Sequence, residues 1–174
     1  MLRASSVACV AVTLCLLSDS FEPARAQPPS WVVTGCQNAQ QPVVSGLFDV
    51  VRRAGNLGRP IVFDCPANTT ITVNPDAAIE IRGHVIIDGE NKITLDAPDQ
   101  RMPVFTVPGG VGASLVLKNI RIQGARSAAQ AAASVVFSEE PLVLENVTIE
   151  KSQFPIRASS DLTVRNSQFS GNDG

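Results

Sequence analysis

Residues 115–122 read LVLKNIRI, and the same pattern recurs in residues 142–149, LVLENVTI, and in residues 162–169, LTVRNSQF. Each copy has a short apolar strand, a charged residue, an Asn and a second strand whose middle residue is polar. A fainter copy, VIIDG, occupies residues 85–89 with Gly at the Asn position. Counted at that position, the copies recur after about 30, 27 and 20 residues, which is typical of stacked supersecondary units. The pattern predicts a solenoid.

The composition of the short strands indicates which kind of solenoid this is. Apolar residues, most of them β-branched, alternate with polar ones in ITV at 71–73, IEI at 79–81 and ITL at 93–95. Such triplets suit a coil, meaning one turn of the solenoid, whose strands pair with the coils above and below and point alternate residues inward. Helical repeats would need an apolar period of 3.6 residues, which this region lacks. We predict an all-β protein, a parallel β-helix of about five coils.

Stacking identical positions would create ladders of side chains along the solenoid. The asparagine ladder would contain Asn119, Asn146 and Asn166, each amide bonding to the next and to the backbone of the turn. The charge ladder alternates in sign and would contain Asp88, Lys118, Glu145 and Arg165. Strands about 4.8 Å apart would bring opposite charges together, each exposed pair contributing ~0.2–1 kcal/mol. We interpret both ladders as structural rather than catalytic.

One outward column of the predicted strands is mostly apolar. It would contain Ile86, Val116, Val143 and Thr163. An apolar stripe on a surface marks a contact site, although a loop lying across the strands would explain it equally well. The exposure of Val116 and Val143 distinguishes the two interpretations.

Residues 1–26 have the pattern of a secretory signal peptide. Arg3 supplies positive charge, residues 7–17 are apolar but too short to cross a bilayer, and residues 24–26 read ARA. Cys15 offers an alternative as a lipidation site, but Leu14 before it is not the small residue usual there. We expect a mature chain that starts at Gln27, is secreted or displayed at the cell surface, and contains no transmembrane segment.

Cys36 and Cys65 are the two cysteines of the expected mature chain. In a secreted protein, two such residues most simply form a disulfide. It would close a loop of about 30 residues and contribute ~3–4 kcal/mol in the chain-entropy model. Metal binding is not predicted, because no His lies near them, and we expect no cofactor.

Charge argues against nucleic acid as a partner. Without Arg3, Asp19, Glu22 and Arg25, the mature chain has 12 basic and 14 acidic residues, so its net charge stays at −2. Nucleic-acid-binding domains instead carry basic patches that neutralise phosphates.

Residues 27–58 are predicted to form an N-terminal cap, and residues 59–174 the β-helix. The cap contains a helix over residues 45–54, with Ser45 as the N-cap and Gly55 ending it in the left-handed conformation. Its apolar stripe contains Leu47, Val50, Val51 and Ala54. Such a helix would close one end of the solenoid.

Residues 169–174, FSGNDG, complete a repeat but offer nothing that would cover the last coil. An open solenoid end exposes its core and unpaired strands. We therefore expect either a longer parent protein or self-association at the C-terminal coil.

Two sequons for N-glycosylation occur, NTT at 68–70 and NVT at 146–148. Asn68 lies in a predicted turn, whereas a ladder position would make Asn146 inaccessible. We predict glycosylation of Asn68 only, if the source is eukaryotic.

Most of the mature chain resembles the N-terminal part of pectin-lyase-like right-handed β-helix proteins. The likeness lies in an N-terminal helix that leads into RPIVFD at 59–64, then VIIDG at 85–89 and the Asn-bearing repeats. FSGN at 169–172 matches the F-x-x-N motif of the polymorphic outer membrane protein type of secreted repeat protein, whose companion G-G-A-I motif is absent. The resemblance implies a right-handed coil and an adhesive role outside the cell or at the outer membrane.

The same fold carries enzymes, so activity has to be weighed separately. The Asn-x-Asp, Asp-Asp, Gly-His-Gly and Arg-Ile-Lys motifs of polygalacturonase-like sites are not intact in this sequence. We interpret the single histidine, His84, as a turn residue. We expect a non-enzymatic scaffold that binds a protein or carbohydrate at a cell surface. The alternatives are an N-terminal fragment of a polysaccharide lyase or hydrolase, and a truncated product without activity.

Overall fold

The computed structural model describes residues 31–36, 46–55, 58–126 and 134–173. They contain thirteen strands and one helix. In chain order these are β1 (Trp31–Val33), α1 (Leu47–Ala54), β2 (Pro60–Phe63), β3 (Thr69–Thr72), β4 (Ile79–Glu80), β5 (His84–Asp88), β6 (Ile93–Asp96), β7 (Phe105–Val107), β8 (Ser114–Gln123), β9 (Ser134–Ser138), β10 (Leu142–Glu150), β11 (Phe154–Ala158), β12 (Leu162–Arg165) and β13 (Gln168–Ser170).

Every strand pair in the described part of the chain is parallel, and the strands form two sheets. The larger sheet runs in the order β1-β2-β5-β8-β10-β12, with β3, β6 and β13 joined to the second halves of β8 and β10. The smaller sheet has the order β11-β9-β7-β4. The chain thus winds as a β-solenoid, which confirms the predicted parallel β-helix. It has about four turns rather than the five expected.

The sequence repeats stack in register, as the pattern requires. Leu117 lies opposite Leu144, and Leu144 lies opposite Val164. Ile87, Leu117 and Leu144 are fully buried, because alternate residues of each strand point into the solenoid. Each fully buried aliphatic side chain of this kind contributes ~1.5–3 kcal/mol, and this repeated burial holds the coils together.

The cap differs from its prediction in two respects. Gly46, with extended backbone (φ −69°, ψ 162°), is the N-cap of α1, so the prediction of Ser45 is wrong by one position; Ser45 itself lies outside the described residues. The reason is that glycine is also tolerated at an N-cap, where the backbone is not yet helical. The cap also contains a strand that was not predicted: β1, at Trp31–Val33, pairs with β2.

α1 closes the first end of the solenoid. Its predicted apolar stripe, Leu47, Val50, Val51 and Ala54, is buried, and the helix contacts β1, β2 and β4. Cys36 and Cys65 form the predicted disulfide, with sulfur atoms 2.01 Å apart, and tie β1 to the end of β2. None of the described helices has the length and apolar character needed to cross a bilayer.

Candidate functional site: the lateral face and the corner groove

The lateral face is the outward side of β5, β12 and the first halves of β8 and β10. Its central column is the predicted stripe, stacked in register as Ile86, Val116, Val143 and Thr163. The three apolar side chains are half-buried and Thr163 is exposed. Neither Val116 nor Val143 is fully covered, so a partner could still reach this column. The use of this stripe as a contact site stays a prediction.

The charge ladder runs beside the stripe, also in register. Lys118 Nζ and Glu145 Oε2 form an ion pair at 2.9 Å. Asp88 lies opposite Lys118, but its Oδ1 accepts hydrogen bonds from Asn119 Nδ2 and from the Glu90 backbone N–H, each at 2.9 Å. Arg165 lies opposite Glu145 without an ion pair to it among the described residues. One of the three neighbouring pairs is therefore a salt bridge.

Glu145 is the titratable group whose pKa this ladder changes. The Lys118 ammonium, which donates a hydrogen bond to the carboxylate and attracts its charge, lowers the pKa of Glu145 below its ordinary value. The positive charge of Arg165 lowers this pKa further, while Asp88 opposes the shift. Glu145 is thus held in its charged form, which suits a surface ion pair rather than an acid that delivers protons.

The asparagine column marks the corner between the two halves of β8 and of β10, and the matching corner after β12. Asn119, Asn146 and Asn166 all adopt the left-handed conformation, with φ of 50°, 55° and 48°. Asn tolerates this region better than other residues with a Cβ. One left-handed residue shifts the alternation by one position, so Leu117 and Ile120 both point inward. The repeated Asn is therefore first a backbone requirement of the corner.

The hydrogen bonds of this column differ from the predicted ladder. Asn146 Nδ2 donates to Asn119 Oδ1 and to Asn91 Oδ1, each at 2.8 Å. Asn166 makes no side-chain hydrogen bond within the described residues, so Asn91 extends the ladder in its place. Asn91 was missed because it lies outside the repeat pattern, in an inserted turn where Glu90 and Asn91 both have positive φ.

The accessibility of one sequon differs from its prediction. Asn146 is exposed, so the prediction that its ladder position makes it inaccessible is wrong. Its Nδ2, the atom that would carry a glycan, nevertheless makes two hydrogen bonds. Asn68 is exposed in the turn before β3, at φ 61°. Its glycosylation stays a prediction.

The first corner has Gly89 because a side chain does not fit there. A Cβ on Gly89 would lie 2.7 Å from the Asn119 backbone oxygen and 2.9 Å from Ile120 Cβ. The turn around Gly89 therefore approaches the next coil closely, and its inserted residues stand beside the asparagine column.

A groove of about 390 Å³ follows the corner; we call it the corner groove. Its lining is rich in amides, hydroxyls and cationic side chains, and includes Asn68, Asn91, Lys92, Arg121, Asn146 and Thr148. Arg121 Nη1 lies 3.5 Å from Glu150 Oε1, and Lys92 Nζ lies 2.8 Å from Glu90 Oε2. The groove can offer hydrogen-bond donors and acceptors to a hydroxyl-rich ligand.

His84 is the first residue of β5 and not a turn residue, so that interpretation is wrong. Its alternation with the buried Val85 places it outward, where Nδ1 lies 2.9 Å from Ser114 Oγ on the next coil. The described residues contain no cluster of three or more His, Cys, Asp or Glu side chains placed to hold a metal ion.

Asn172 of the F-x-x-N motif has a clear local role. Its Oδ1 accepts a hydrogen bond from the Ser152 backbone N–H at 2.9 Å, and its Nδ2 donates to the Ile149 carbonyl at 3.2 Å. The motif therefore ties the turn after β13 to the coil below.

No family model matches the sequence, and neither a curated protein nor a solved structure does. The likeness to pectin-lyase-like proteins therefore stays a prediction from the sequence motifs quoted above.

Proposed function

We propose that this protein is a secreted or surface-displayed, non-enzymatic β-helix scaffold of the pectin-lyase-like type that binds a protein partner through its lateral face. The observation that carries the proposal is the in-register column of Ile86, Val116, Val143 and Thr163. Its apolar members remain half-buried on the outside of a sheet, between the charge ladder and a column that contains His84, Ser114, Pro141 and Asp161.

The dimensions of this column suit an extended protein segment. Four strands about 4.8 Å apart present a stripe roughly 15 Å long. The stripe is bordered on one side by the charge ladder and on the other by His84, Ser114, Pro141 and Asp161, so it has an apolar centre and a mostly polar rim. Protein interfaces commonly have this arrangement. The salt bridge between Lys118 and Glu145 keeps the rim close to neutral.

Site-specific photocrosslinking on the surface of the producing cells tests the proposal. A benzophenone amino acid at Val116 reports on the lateral face, and the same probe at Thr106, an outward residue of β7 in the smaller sheet, is the matched control. We expect one discrete crosslinked product from Val116 that is absent from Thr106. Identical products from both positions would overturn the lateral-face proposal.

Substitution then separates binding from folding. Val143→Lys places a charge in the stripe, and Thr106→Lys places one at an outward position of β7 in the smaller sheet. We expect Val143→Lys to abolish the Val116 crosslink and Thr106→Lys to leave it unchanged, with both variants retaining the β-sheet circular dichroism signal. Retention of the crosslink in Val143→Lys would contradict a role for the stripe.

The second candidate function is carbohydrate binding, in line with the alternative of a polysaccharide-active protein. The corner groove supports it, because Asn and Thr side chains together with Arg121 and Lys92 match the hydroxyl and carboxylate groups of acidic sugars. Titration with polygalacturonate, and with dextran as a neutral control, measures this binding. Binding that is lost in Arg121→Ala would support it, and shortening of the polymer on size exclusion would favour the enzyme alternative.

A further inference from the structure

The lateral face has three outward columns that cross the same four strands. The middle column is the apolar stripe, and the charge ladder runs along one side of it. The column on the other side contains His84, Ser114, Pro141 and Asp161. Neighbouring columns are two residues apart along a strand, and neighbouring coils are about 4.8 Å apart, so the three columns cover roughly 15 by 13 Å.

The order of the charges has a symmetry of its own. From β5 to β12 the ladder reads Asp88, Lys118, Glu145 and Arg165, which alternates in sign over four strands. Reversing an alternating series of four exchanges the sign at every position. A second copy of the face, turned end over end, therefore presents an opposite charge to each member of the ladder.

We propose that the protein partner of the lateral face is a second copy of this chain, packed face to face with the two solenoid axes antiparallel. The two-fold axis runs along the strand direction between β8 and β10, so Val116 lies opposite Val143 of the second copy. Each contact occurs twice, as two-fold symmetry requires. This inference rests on the proposed function, because it uses the same face, and it names the partner.

The charge ladder supplies the strongest complementarity. Lys118 lies opposite Glu145 of the second copy, and Glu145 lies opposite its Lys118. The two side chains already pair at 2.9 Å within one copy and remain 35% and 40% exposed, so each is accessible to a second opposite charge. The four charges then alternate in a closed network. Asp88 and Arg165 lie opposite each other at both ends of the ladder. Complementary charges of this kind fix the register of an interface.

The column on the other side of the stripe agrees with this alignment. It places the exposed His84 opposite the exposed Asp161 of the second copy. His84 Nδ1 lies 2.9 Å from Ser114 Oγ. When Nδ1 accepts the hydroxyl proton, Nε2 carries the ring N–H and can donate to the Asp161 carboxylate. All three columns therefore favour the same arrangement.

Other two-fold arrangements of the same face fit less well. An axis through a strand places like charges opposite each other, for example Lys118 opposite its own equivalent. An axis one coil nearer α1 places Glu145 opposite β2, which has no charged residue. An axis along the solenoid sets the charge ladder against the column that contains Ser114 and Pro141, so Lys118 and Glu145 face no opposite charge. The antiparallel arrangement is the one that matches all four charges.

Sedimentation of the exported, purified chain over a concentration series tests the dimer. The face is smaller than the ~800 Å² that each partner contributes to a standard interface, so we expect an equilibrium between monomer and dimer rather than a permanent dimer. A monomer at every concentration up to the millimolar range would overturn the proposal.

Charge reversal tests the pairing. Lys118→Glu and Glu145→Lys should each raise the dissociation constant roughly tenfold or more, because two opposite-charge pairs become two like-charge pairs. An equimolar mixture of the two variants should restore the dimer, and so should the double variant, which also restores the ion pair within each copy. Arg101→Glu, which breaks a surface ion pair with Asp76 away from this face, should behave as the wild type. No recovery in the mixture or in the double variant would overturn the proposal.

Photocrosslinking separates this inference from the proposed function. With the benzophenone probe at Val116 in one population and isotope-labelled chains in another, we expect a product of twice the chain mass whose crosslink lies in β10 of the other copy. A crosslink in α1 or in the smaller sheet would overturn the alignment. On the producing cells, a discrete Val116 product of another mass would overturn the dimer and leave the lateral-face proposal intact. The absence of any Val116 product would overturn both.

Discussion

Asn146 donates its side-chain N–H to Asn119 Oδ1 across one step of the solenoid at 2.8 Å, and Asn119 in turn donates to Asp88 Oδ1 at 2.9 Å. The three residues come from three successive coils. This chain of bonds joins side chains far apart in sequence at the corner where every coil bends. The corner therefore has two requirements, a left-handed backbone at each Asn and a continuous set of polar contacts along the stack.

Glycine substitutions separate these two requirements. Asn119→Gly keeps the left-handed conformation but loses the bonds to Asp88 and Asn146, so we expect it to lower the free energy of unfolding by about 1–2 kcal/mol. Asn166→Gly is the matched control, because Asn166 has the same backbone conformation and no side-chain hydrogen bond among the described residues. We expect a change within about 0.5 kcal/mol there. Urea unfolding measures both, and equal losses would contradict a stabilising ladder.

Alanine substitution at the unbonded corner measures the backbone requirement alone. Asn166→Ala removes no side-chain hydrogen bond, but it forces a residue with a Cβ that cannot bond locally into a left-handed backbone at φ 48°. We expect it to be less stable than Asn166→Gly by about 1–2 kcal/mol. The same urea midpoints give the result, and an Ala variant as stable as the Gly variant would show that this corner relaxes.

The disulfide between Cys36 and Cys65 closes a loop with a sequence separation of 29. Replacing both residues with Ala removes this restraint from the unfolded chain, so we expect a loss of about 3–4 kcal/mol. Urea unfolding of the double variant measures it. The wild type in excess reductant should lose a similar amount, while reductant should not affect the variant. Unchanged midpoints in both comparisons would contradict a stabilising role.

The ion pair between Lys118 and Glu145 makes part of the stability depend on pH. The folded pKa of Glu145 lies below its ordinary value of 4.5, so the pair stabilises the fold above that value and its contribution is lost as pH falls through the folded pKa. Lys118→Met should raise the pKa of Glu145 toward 4.5. Carboxyl carbon NMR titration measures this shift. Lys92→Met, which removes a lysine paired with Glu90, should leave the pKa of Glu145 unchanged.

The two sequons differ in what their amide nitrogens bond to. Asn68 is exposed in a turn, whereas Asn146 Nδ2 donates to both Asn91 and Asn119. After secretion from a eukaryotic host, we expect mass spectrometry to find a glycan at Asn68 and not at Asn146. An occupied Asn146 in folded protein would show that the corner forms without those two hydrogen bonds.

The sequence by itself determined the solenoid, because each copy of the repeat carries its own alternation of apolar and polar residues. The registers Leu117 to Leu144 and Lys118 to Glu145 follow from aligning the copies. The disulfide partners also followed from the sequence, since only two cysteines remain after the predicted signal peptide. These are local patterns, and stacking repeats them at a fixed spacing.

Only the tertiary structure decided which polar side chains meet at the corners. The inserted turn at Glu90 and Asn91 brings Asn91 within hydrogen-bond distance of Asn146, 55 positions away. Asp88 accepts a hydrogen bond from Asn119 and forms no ion pair with Lys118 among the described residues. It also showed that β1 joins the cap and that Leu162, Val164 and Phe169 are uncovered. These outcomes depend on loop geometry and on what lies above each coil. A repeat pattern predicts neither the loop geometry nor what covers a coil, because it describes what the coils share and not where they differ.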